Sequence, residues 1–287
     1  MRIQHNIMAM NSYRNYNNNT SALSKNLEKL SSGYKINRAG DDAAGLALSE
    51  KMRAQITGLD AAYKNTKDAT SLIKTAEGAL QEVQDMLNRM VYLAEESANG
   101  VYDNDVDRHA LQSEVDALQT EIERIADSAN FNGKKLFSST ANMASGSFIF
   151  QIGDTANTYD KLSMATILTK GADLRTLLKD ALAINIRTVA GASAAIGILK
   201  SNVATSAINA ISDLRGKLGA TQNRLDHTLN NLSVMKENIQ DAEATVRDTD
   251  VAEEMMSYTK NNILIQSAQA MLAQSNAVPQ GVLQLLQ

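Results

Sequence analysis

Apolar residues recur along most of this chain in steps that alternate between four and three positions. A first series comprises Leu72, Ala76, Ala79, Val83, Met86, Met90 and Leu93. A second comprises Leu111, Val115, Leu118, Ile122, Ile125 and Ala129. A third comprises Ile211, Leu214, Leu218, Thr221, Leu225, Thr228, Leu232, Met235, Ile239, Ala242 and Val246. Such steps repeat every seven residues, so they predict long helices packed side by side in a left-handed bundle.

Both ends of the chain carry weaker forms of the same rhythm. Near the N-terminus the series comprises Tyr13, Tyr16, Thr20, Leu23, Leu27 and Leu30. Near the C-terminus one helical face is predicted to carry Ile263, Leu264, Ala268, Met271 and Leu272. Helices of this kind are marginal in isolation, because most helix stability comes from packing an apolar face against a partner. We therefore expect the terminal helices to pair with each other and with further subunits.

The middle of the chain has a different residue composition and no heptad pattern. Asn132-Gly133 is a turn signal, and the short β-branched and aromatic segment from Ser147 to Ile152 reads as a strand, so we predict a small hairpin. Short helical pieces are expected around Leu174 to Leu182. A joint of glycine, alanine and serine is expected from Gly191 to Gly197.

Length decides between a globule and a rod. A helix from Ser193 to Asp248 would be roughly 80 Å long, whereas a compact globule of this size is about 50 Å across. The predicted fold is mainly α, an elongated antiparallel long-helix bundle with a small β-hairpin region and paired N- and C-terminal helices. The predicted parts are terminal helices 1–32 with 251–287, a connector 33–56, a long-helix bundle 57–130 and 193–250, and a hairpin and variable region 131–192.

Composition removes several classes of function. The net charge is -4 and no basic stripe is present, which argues against a nucleic-acid partner. No apolar run is long enough to span a bilayer. With 0 cysteines the chain has no disulfide, thiolate metal site or cysteine nucleophile. The first eleven residues, Met1 to Asn11, lack a continuous apolar block, so they are not expected to be a cleaved signal peptide.

One acidic cluster has the spacing of a calcium loop. Asp103, Asp105, Asp107 and Glu114 stand at positions one, three, five and twelve, but position six is Arg108 where the sharp turn requires glycine. Acidic residues that open a helix and favour its dipole account for the same pattern. We interpret the cluster as a helix start and predict no metal site.

No constellation for catalysis stands out. Asp41-Asp42 lies among Ala, Gly and Asn, so helix capping and loop hydrogen bonds explain it better than an acid/base pair. His5, His109 and His227 are scattered, and the chain contains no HExxH motif. We predict that the protein is not an enzyme and uses no cofactor.

Four ordered blocks of the sequence resemble bacterial flagellins. They are "LSSGYKINRAGDDAAGLALSEKMRAQITGL" (Leu30 to Leu59), "EGALQEVQDMLNRMVYLAEESANG" (Glu77 to Gly100), "FNGKKLF" (Phe131 to Phe137) and "MLAQSNAVPQGVLQLLQ" (Met271 to Gln287). The resemblance extends over roughly residues 1 to 155 and 205 to 287. Many flagellins carry large outer domains in the middle, and this chain resembles a short form without them.

The resemblance implies a filament subunit that gives swimming motility. Flagellins leave the cell unfolded through the flagellar export channel, without signal cleavage, and polymerise outside it with the paired terminal helices as an inner tube. The partners that the resemblance implies are further copies of the chain, an export chaperone bound to Val251 to Gln287, and hook-associated junction and cap proteins. The resemblance implies no association with a membrane. It also implies an irregular connector from Ser32 through Gln55. The residues expected to support polymerisation are Leu23, Leu27, Leu30, Ile263, Leu264, Met271 and Leu272.

Three positions match a known recognition surface of the family. In flagellins recognised by an innate immune Toll-like receptor, the positions that match Arg89, Leu93 and Glu121 contribute the main contact. Periodicity alone places Leu93 in a packed seam and leaves Arg89 and Glu121 as solvated surface residues. The resemblance favours a receptor contact at all three.

Other functions remain open from the sequence. A hook–filament junction protein of the same family shares similar ends, although it would usually lack the full set of internal blocks. An intracellular coiled-coil adaptor would explain the heptads but not the end motifs. An enzyme on a helical frame has no supporting constellation.

Overall fold

The computed structural model describes residues 6–137, 148–164, 178, 181–200 and 206–285. Its helices are α1 (Ile7–Ser32), α2 (Ala43–Ser97), α3 (Asp107–Ser128), α4 (Val189–Lys200), α5 (Ala207–Arg247) and α6 (Val251–Leu285). Its strands are β1 (Asn130–Phe131), β2 (Lys134–Lys135), β3 (Ile149–Gln151) and β4 (Lys161–Ser163). The chain divides into a terminal unit, residues 1–56 with 237–287, and a central unit, residues 57–236. The predicted mainly helical fold with paired terminal helices is confirmed.

The central unit has an aliphatic core built on the predicted heptad series. Most members of the first series are buried, and α3 contributes Val115 and Ile122 to the same cluster. Helix α2 also buries residues outside its predicted seam, namely Ile73, Leu80 and Leu87. The apolar stripe of α2 is therefore wider than a two-position coiled-coil seam, as expected for a helix covered on more than one side.

Only the first part of the third heptad series is buried in the core. Ile211, Leu218 and Leu225 are fully buried, whereas Met235 is exposed and Ala242 is also exposed. Burying a leucine or isoleucine side chain contributes about 1.5–3 kcal/mol. The stabilising part of this series therefore runs from Ile211 to Leu232, which is the last buried member.

The single long helix predicted from Ser193 to Asp248 corresponds to two helices in the structure. Helix α4 ends at Lys200 and α5 begins at Ala207, and residues 201–205 lie outside the described part of the chain. The predicted joint from Gly191 to Gly197 is wrong, because both glycines lie inside α4. That helix buries Ala192, Ala195 and Leu199, and this packing outweighs the low helix propensity of glycine.

Two short antiparallel pairs replace the single predicted hairpin. β1 pairs with β2 across Asn132-Gly133, whose φ angles of 51° and 76° are both positive. Two central residues with positive φ define the type I′ turn that Asn-Gly favours, so this turn signal is confirmed. β3 pairs with β4, with Phe150 opposite Leu162. Of the helical pieces expected around Leu174 to Leu182, the structure describes a 3₁₀ turn at Ala181–Ala183, and most of the segment lies outside the described residues.

A buried arginine holds the turn between α2 and α3. Arg108 is only 3% exposed, and its Nε and Nη2 donate to the carbonyl oxygens of Ser97 and Asn99, each at 2.9 Å. Its Nη1 donates to the side chain of Asn104. Carbonyls at the C-terminus of a helix lack intrahelical partners, and a cation there also complements the helix dipole. Arg108 thus caps α2 from the first turn of α3.

Replacing Arg108 by alanine is expected to lower the free energy of unfolding by about 3 kcal/mol, because buried carbonyl groups lose charged donors. Urea unfolding of the full chain followed by circular dichroism measures the change. Arg224→Ala removes an exposed arginine from α5 and is the matched control, with an expected change within about 0.5 kcal/mol. Equal effects of the two substitutions would contradict the capping role.

Candidate self-association surface

Helix α1 ends in a left-handed glycine that turns the chain. Gly33 has a φ of 76°, and its N–H donates to the carbonyl oxygen of Lys29 at 2.8 Å. Only glycine adopts this conformation without steric cost, which is why it commonly follows the last helical residue. The chain leaves α1 at this point and enters the first linker.

The two linkers that flank the terminal helices are bonded to each other. The Lys35 N–H donates to the Arg247 carbonyl oxygen at 2.7 Å, and the Thr249 N–H donates to the Gly33 carbonyl oxygen at 3.0 Å. The guanidinium of Arg247 lies over the ring of Tyr34, 4.7 Å from its centroid. We call these five residues the linker clasp. It ties the chain shortly after α1 to the chain shortly before α6.

Arg247 also binds the first part of α2. Its Nη1 lies 2.9 Å from Oε1 of Glu50 and 3.9 Å from Oε1 of Glu243. The hydrogen bond from Arg247 lowers the pKa of the Glu50 carboxyl, and the charge and hydrogen bond of Arg53 act in the same direction. One guanidinium therefore connects the linker clasp to α2 within the terminal unit.

The irregular connector is shorter than predicted. Residues 33–42 are non-helical, but α2 begins at Ala43, so the expected irregular segment through Gln55 is wrong from that residue onward. Asp42 Oδ1 accepts hydrogen bonds from the N–H groups of Ala44 and Gly45 at 3.1 and 2.9 Å. A carboxylate placed there satisfies free donors of the first helical turn and starts the helix.

Asp41 stabilises the loop just before that helix. Its Oδ2 accepts from the N–H groups of Arg38 and Asn37 at 3.0 and 3.3 Å. These backbone hydrogen bonds, first of all that from Arg38, lower the pKa of the Asp41 carboxyl. The prediction that Asp41-Asp42 serves capping and loop hydrogen bonds is confirmed.

The terminal helices α1 and α6 pack against each other in antiparallel orientation. At one end, Asn6 Nδ2 donates to the Ser275 carbonyl oxygen at 2.9 Å. At the other end, Lys29 Nζ lies 3.7 Å from Oε2 of Glu254. The beginning of one helix thus meets the end of the other.

The seam between these two helices is unusually polar. Buried or half-buried positions on α1 include Ala9, Ser12, Tyr16, Asn19, Leu23, Asn26 and Leu30. On α6 they include Glu254, Tyr258, Asn261, Ile265, Ala268, Leu272 and Ser275. Both sets follow alternating steps of three and four, which is the spacing of helices packed side by side. In its hydrogen-bonded orientation the Asn26 amide donates to Glu254 Oε1 at 3.0 Å and accepts from Asn261 at 3.1 Å.

Large apolar side chains point away from that seam. Each member of this set is at least 40% exposed: Ile7, Met8, Met10, Tyr13, Leu27, Val251, Met255, Met256, Ile263, Leu264, Met271 and Val278. We call these residues the outer face. Within α6 they are spread over several sides of the helix, and a helix that is apolar on several sides is normally buried. No described helix is long and apolar enough to cross a membrane.

The predicted polymerisation residues fall into two groups. Leu27, Ile263, Leu264 and Met271 lie on the outer face. The remaining three are half-buried members of the seam, namely Leu23, Leu30 and Leu272. The predicted C-terminal face therefore does not exist as one stripe, because Ala268 and Leu272 point inward while the others point outward.

Sequence reasoning missed most of the methionines and valines of the outer face. Met8, Met10, Met255, Met256 and Val278 were not predicted, although Val278 stands seven positions after Met271. A different signal could have found part of this surface, since no charged residue occurs from Asn261 to the end of the chain. A helical surface without charge is poorly adapted to water.

The three predicted receptor contacts lie in the central unit in different environments. Arg89 Nε lies 2.7 Å from Glu114 Oε1, which raises the pKa of the arginine, and its guanidinium lies 5.2 Å from the centre of the Tyr92 ring. Glu121 is paired with Arg124, whose hydrogen bonds lower the pKa of the carboxyl. Leu93 is 0% exposed and packs in the core, which contradicts its predicted contact with a receptor.

The acidic residues with calcium-loop spacing do not converge on one point. Glu114 is paired with Arg89, while Asp107 and Asp103 accept hydrogen bonds from the backbone N–H groups of Asp103 and Asp105. Within the described ranges no group of three or more His, Cys, Asp or Glu residues is placed to hold a metal ion. The structure therefore assigns these carboxylates to the turn and to the ion pair with α2.

Comparison with known proteins identifies matches at both ends. Residues 3–142 match the bacterial flagellin N-terminal helical region, and residues 201–286 match the bacterial flagellin C-terminal helical region. The flagellin of Bacillus subtilis (strain 168) is 46% identical over 315 residues, with 100% of both chains covered. The flagellar filament 33 kDa core protein of Treponema phagedenis is 43% identical over 292 residues, again with 100% of both covered.

A solved structure supports the fold independently. A protein of Vibrio parahaemolyticus described as flagellar hook-associated covers 72% of this chain and 100% of its own, with a TM-score of 0.57 and 16% identity. At this identity the likeness concerns the fold alone.

The role of Arg247 can be tested through its partner. In Arg247→Ala the pKa of Glu50 is expected to rise towards its ordinary value, because its strongest hydrogen bond is lost. A carboxyl with a lowered pKa stabilises the fold above its unfolded pKa, and that contribution disappears as the pH falls through the folded value. Titration of the Glu50 carboxyl by NMR measures the shift. An unchanged titration curve, with Arg224→Ala as the matched control, would contradict the ion pair.

Proposed function

The chain belongs to the bacterial flagellin family, and we propose that its copies polymerise by covering one another's outer faces on α1 and α6. Flagellins are structural proteins of the flagellar filament, so the chain is a filament subunit and belongs to no enzyme family. The observation that supports this mode of assembly is the outward orientation of twelve large apolar side chains on the paired terminal helices.

The magnitude of the exposed surface favours assembly with several neighbours. Full burial of one large apolar side chain contributes about 1.5–3 kcal/mol, and the outer-face residues are already partly covered. Completing their burial would gain on the order of 10 kcal/mol. Association itself costs about 4–15 kcal/mol. A contact with one neighbour that covers a fraction of the outer face gains too little to offset this cost. A helical lattice in which several neighbours cover all of the outer face gains the whole amount against the cost of placing one subunit.

The comparisons favour a filament subunit over a hook–filament junction protein and over an intracellular adaptor. Full-length relatives at 46% and 43% identity are named as a flagellin and as a flagellar filament core protein. The hook-associated protein of Vibrio parahaemolyticus shares 16% identity. An intracellular coiled-coil adaptor would have no need for an apolar face on the outside of its terminal helices. We infer that the subunit forms the filament and thereby contributes to swimming motility.

Further partners follow from the need to keep the outer face covered before assembly. We propose that an export chaperone binds Val251 to Gln287, since α6 carries the larger share of the outer face. Junction and cap proteins of the hook-associated kind would cover the same surface at the two ends of the filament. We propose that the subunit is exported to the outside of the cell, where flagellins form the flagellar filament.

Substitution on the outer face is expected to abolish filament growth without unfolding the subunit. Ile263→Lys with Met271→Lys places two charges where neighbours would bury apolar side chains. Removal of the chain from Val251 onward should have the same result. Seeded growth observed by electron microscopy measures polymerisation, and circular dichroism verifies the fold.

Val101→Lys with Val106→Lys is the matched control for that experiment. Val101 is an exposed apolar residue in the turn after α2, and Val106 is another in the same turn. Val101→Lys combined with Val106→Lys therefore adds the same two charges outside the outer face. Filament growth by the double variant at the rate of the control would refute the proposed role of α6.

We propose in addition that the folded monomer is recognised by an innate immune Toll-like receptor through Arg89 and Glu121. Their side chains are 49% and 44% exposed and each is held by an ion pair, to Glu114 and Arg124. A fixed guanidinium presents planar donors, which suits a contact that contributes much of the binding energy. Leu93 acts beneath this surface by packing α2.

Arg89→Ala with Glu121→Ala should weaken receptor binding about thirtyfold, which is the loss of a hot spot worth about 2 kcal/mol. Surface plasmon resonance with the monomer and the receptor ectodomain measures the affinity. Arg224→Ala is expected to leave it unchanged. Affinity that stays the same in the double variant would exclude this surface.

A further inference from the structure

We propose that the methionines of the outer face are oxidation sites, and that their conversion to sulfoxides blocks the stacking of subunits. This inference rests on the polymerisation through α1 and α6 proposed above. It concerns five of the twelve outer-face residues, namely Met8, Met10, Met255, Met256 and Met271.

Methionine is distributed very differently in the two units. In the central unit Met90 and Met164 are 0% and 1% exposed, and Met86 packs against the core. The outer-face methionines are between 47% and 68% exposed. Met235 is the exception in the central unit, at 41% exposed. The other described methionines of that unit are buried or packed against its core, whereas those of the outer face are accessible to solvent.

Exposure determines which thioethers a soluble oxidant can reach. A peroxide such as hydrogen peroxide transfers one oxygen atom to the sulfur, so that an S–O bond forms, the O–O bond breaks and water leaves. The sulfur loses two electrons and the peroxide gains them. The product is a polar, chiral side chain in place of a flexible apolar one. The buried Met90 and Met164 are shielded from this reaction by the core of the central unit.

Oxidation acts directly on the property that assembly needs. Thioethers adapt to irregular apolar contacts, which suits a surface that several neighbours must cover. A sulfoxide oxygen brought into such a contact loses its hydrogen bonds to water, and this costs free energy that the apolar thioether does not incur. The unassembled subunit is thus sensitive to peroxide, whereas subunits within a filament bury these sulfurs and are protected.

The test compares assembly before and after controlled oxidation. The full-length monomer is treated with hydrogen peroxide, the sulfoxides are located by mass spectrometry, and seeded growth is followed by light scattering. We expect the five outer-face methionines to react well before Met90 and Met164, and filament elongation to fall about tenfold or more. In preformed filaments the same five should react about tenfold more slowly.

Two variants test whether the loss of filament growth after oxidation is caused by these five sulfurs. Replacing all five by leucine conserves volume and apolar character, and this variant should grow equally well before and after peroxide treatment. Met235→Leu removes an exposed methionine that lies outside the outer face, and it should remain as sensitive as the unmodified chain. Should the five-leucine variant fail to assemble, reduction of the oxidised natural chain by a methionine sulfoxide reductase provides the second measurement, with recovery of growth expected.

The outcomes separate this inference from the proposed function. Failure of the untreated chain to polymerise on seeds overturns polymerisation itself. Undiminished growth of a chain whose five sulfoxides are verified overturns the inference and leaves polymerisation intact. Persistent loss of growth after verified reduction overturns it as well.

Discussion

The structure depends on an apolar surface that one copy of the chain cannot cover. In the terminal unit the contact between α1 and α6 mixes polar residues such as Asn19, Asn26, Asn261 and Ser275 with a few leucines and Ile265, while twelve large apolar side chains face outward. An ordinary amphipathic pair instead keeps most of its large apolar side chains inside. The polar seam specifies which helices meet and in which register, and the outward surface supplies the free energy for association with further copies.

The central unit shows that the chain is able to build an ordinary core. Its helices bury leucine, isoleucine and alanine throughout, and its turns are stabilised by specific polar groups such as Arg108 at the end of α2. This unit has an extensive apolar core, whereas few apolar side chains are buried in the described part of the terminal unit, Ile36 among them. A filament subunit needs this division, since it must be folded enough to be recognised by its neighbours and incomplete enough to need them.

The linker clasp gives that incomplete unit a defined geometry. Backbone hydrogen bonds between Lys35 and Arg247 and between Thr249 and Gly33 hold both linkers together, and Arg247 adds contacts with Tyr34 and Glu50. Because few apolar side chains are buried in this unit, directional hydrogen bonds and the planar guanidinium of Arg247 hold the two linkers in position. The outer face is thereby presented as one surface made by both ends of the chain, and its methionines make that surface sensitive to oxidants.

The sequence by itself determined the helical class, the heptad seams of the central unit, the Asn132-Gly133 turn and the pairing of the terminal helices. These features are local or strongly periodic, so spacing along the chain is enough to predict them. Only the tertiary structure decided that Ile263 and Met271 point outward while Leu272 points inward, that Leu93 is buried, and that Arg247 joins the two linkers. Which side of a helix is covered depends on the partner that lies against it, and α6 is apolar on several sides, so periodicity could not choose among them. The polar seam contributes to that choice, because Asn6 and Asn26 make hydrogen bonds across the contact, to Ser275 and to Glu254 and Asn261.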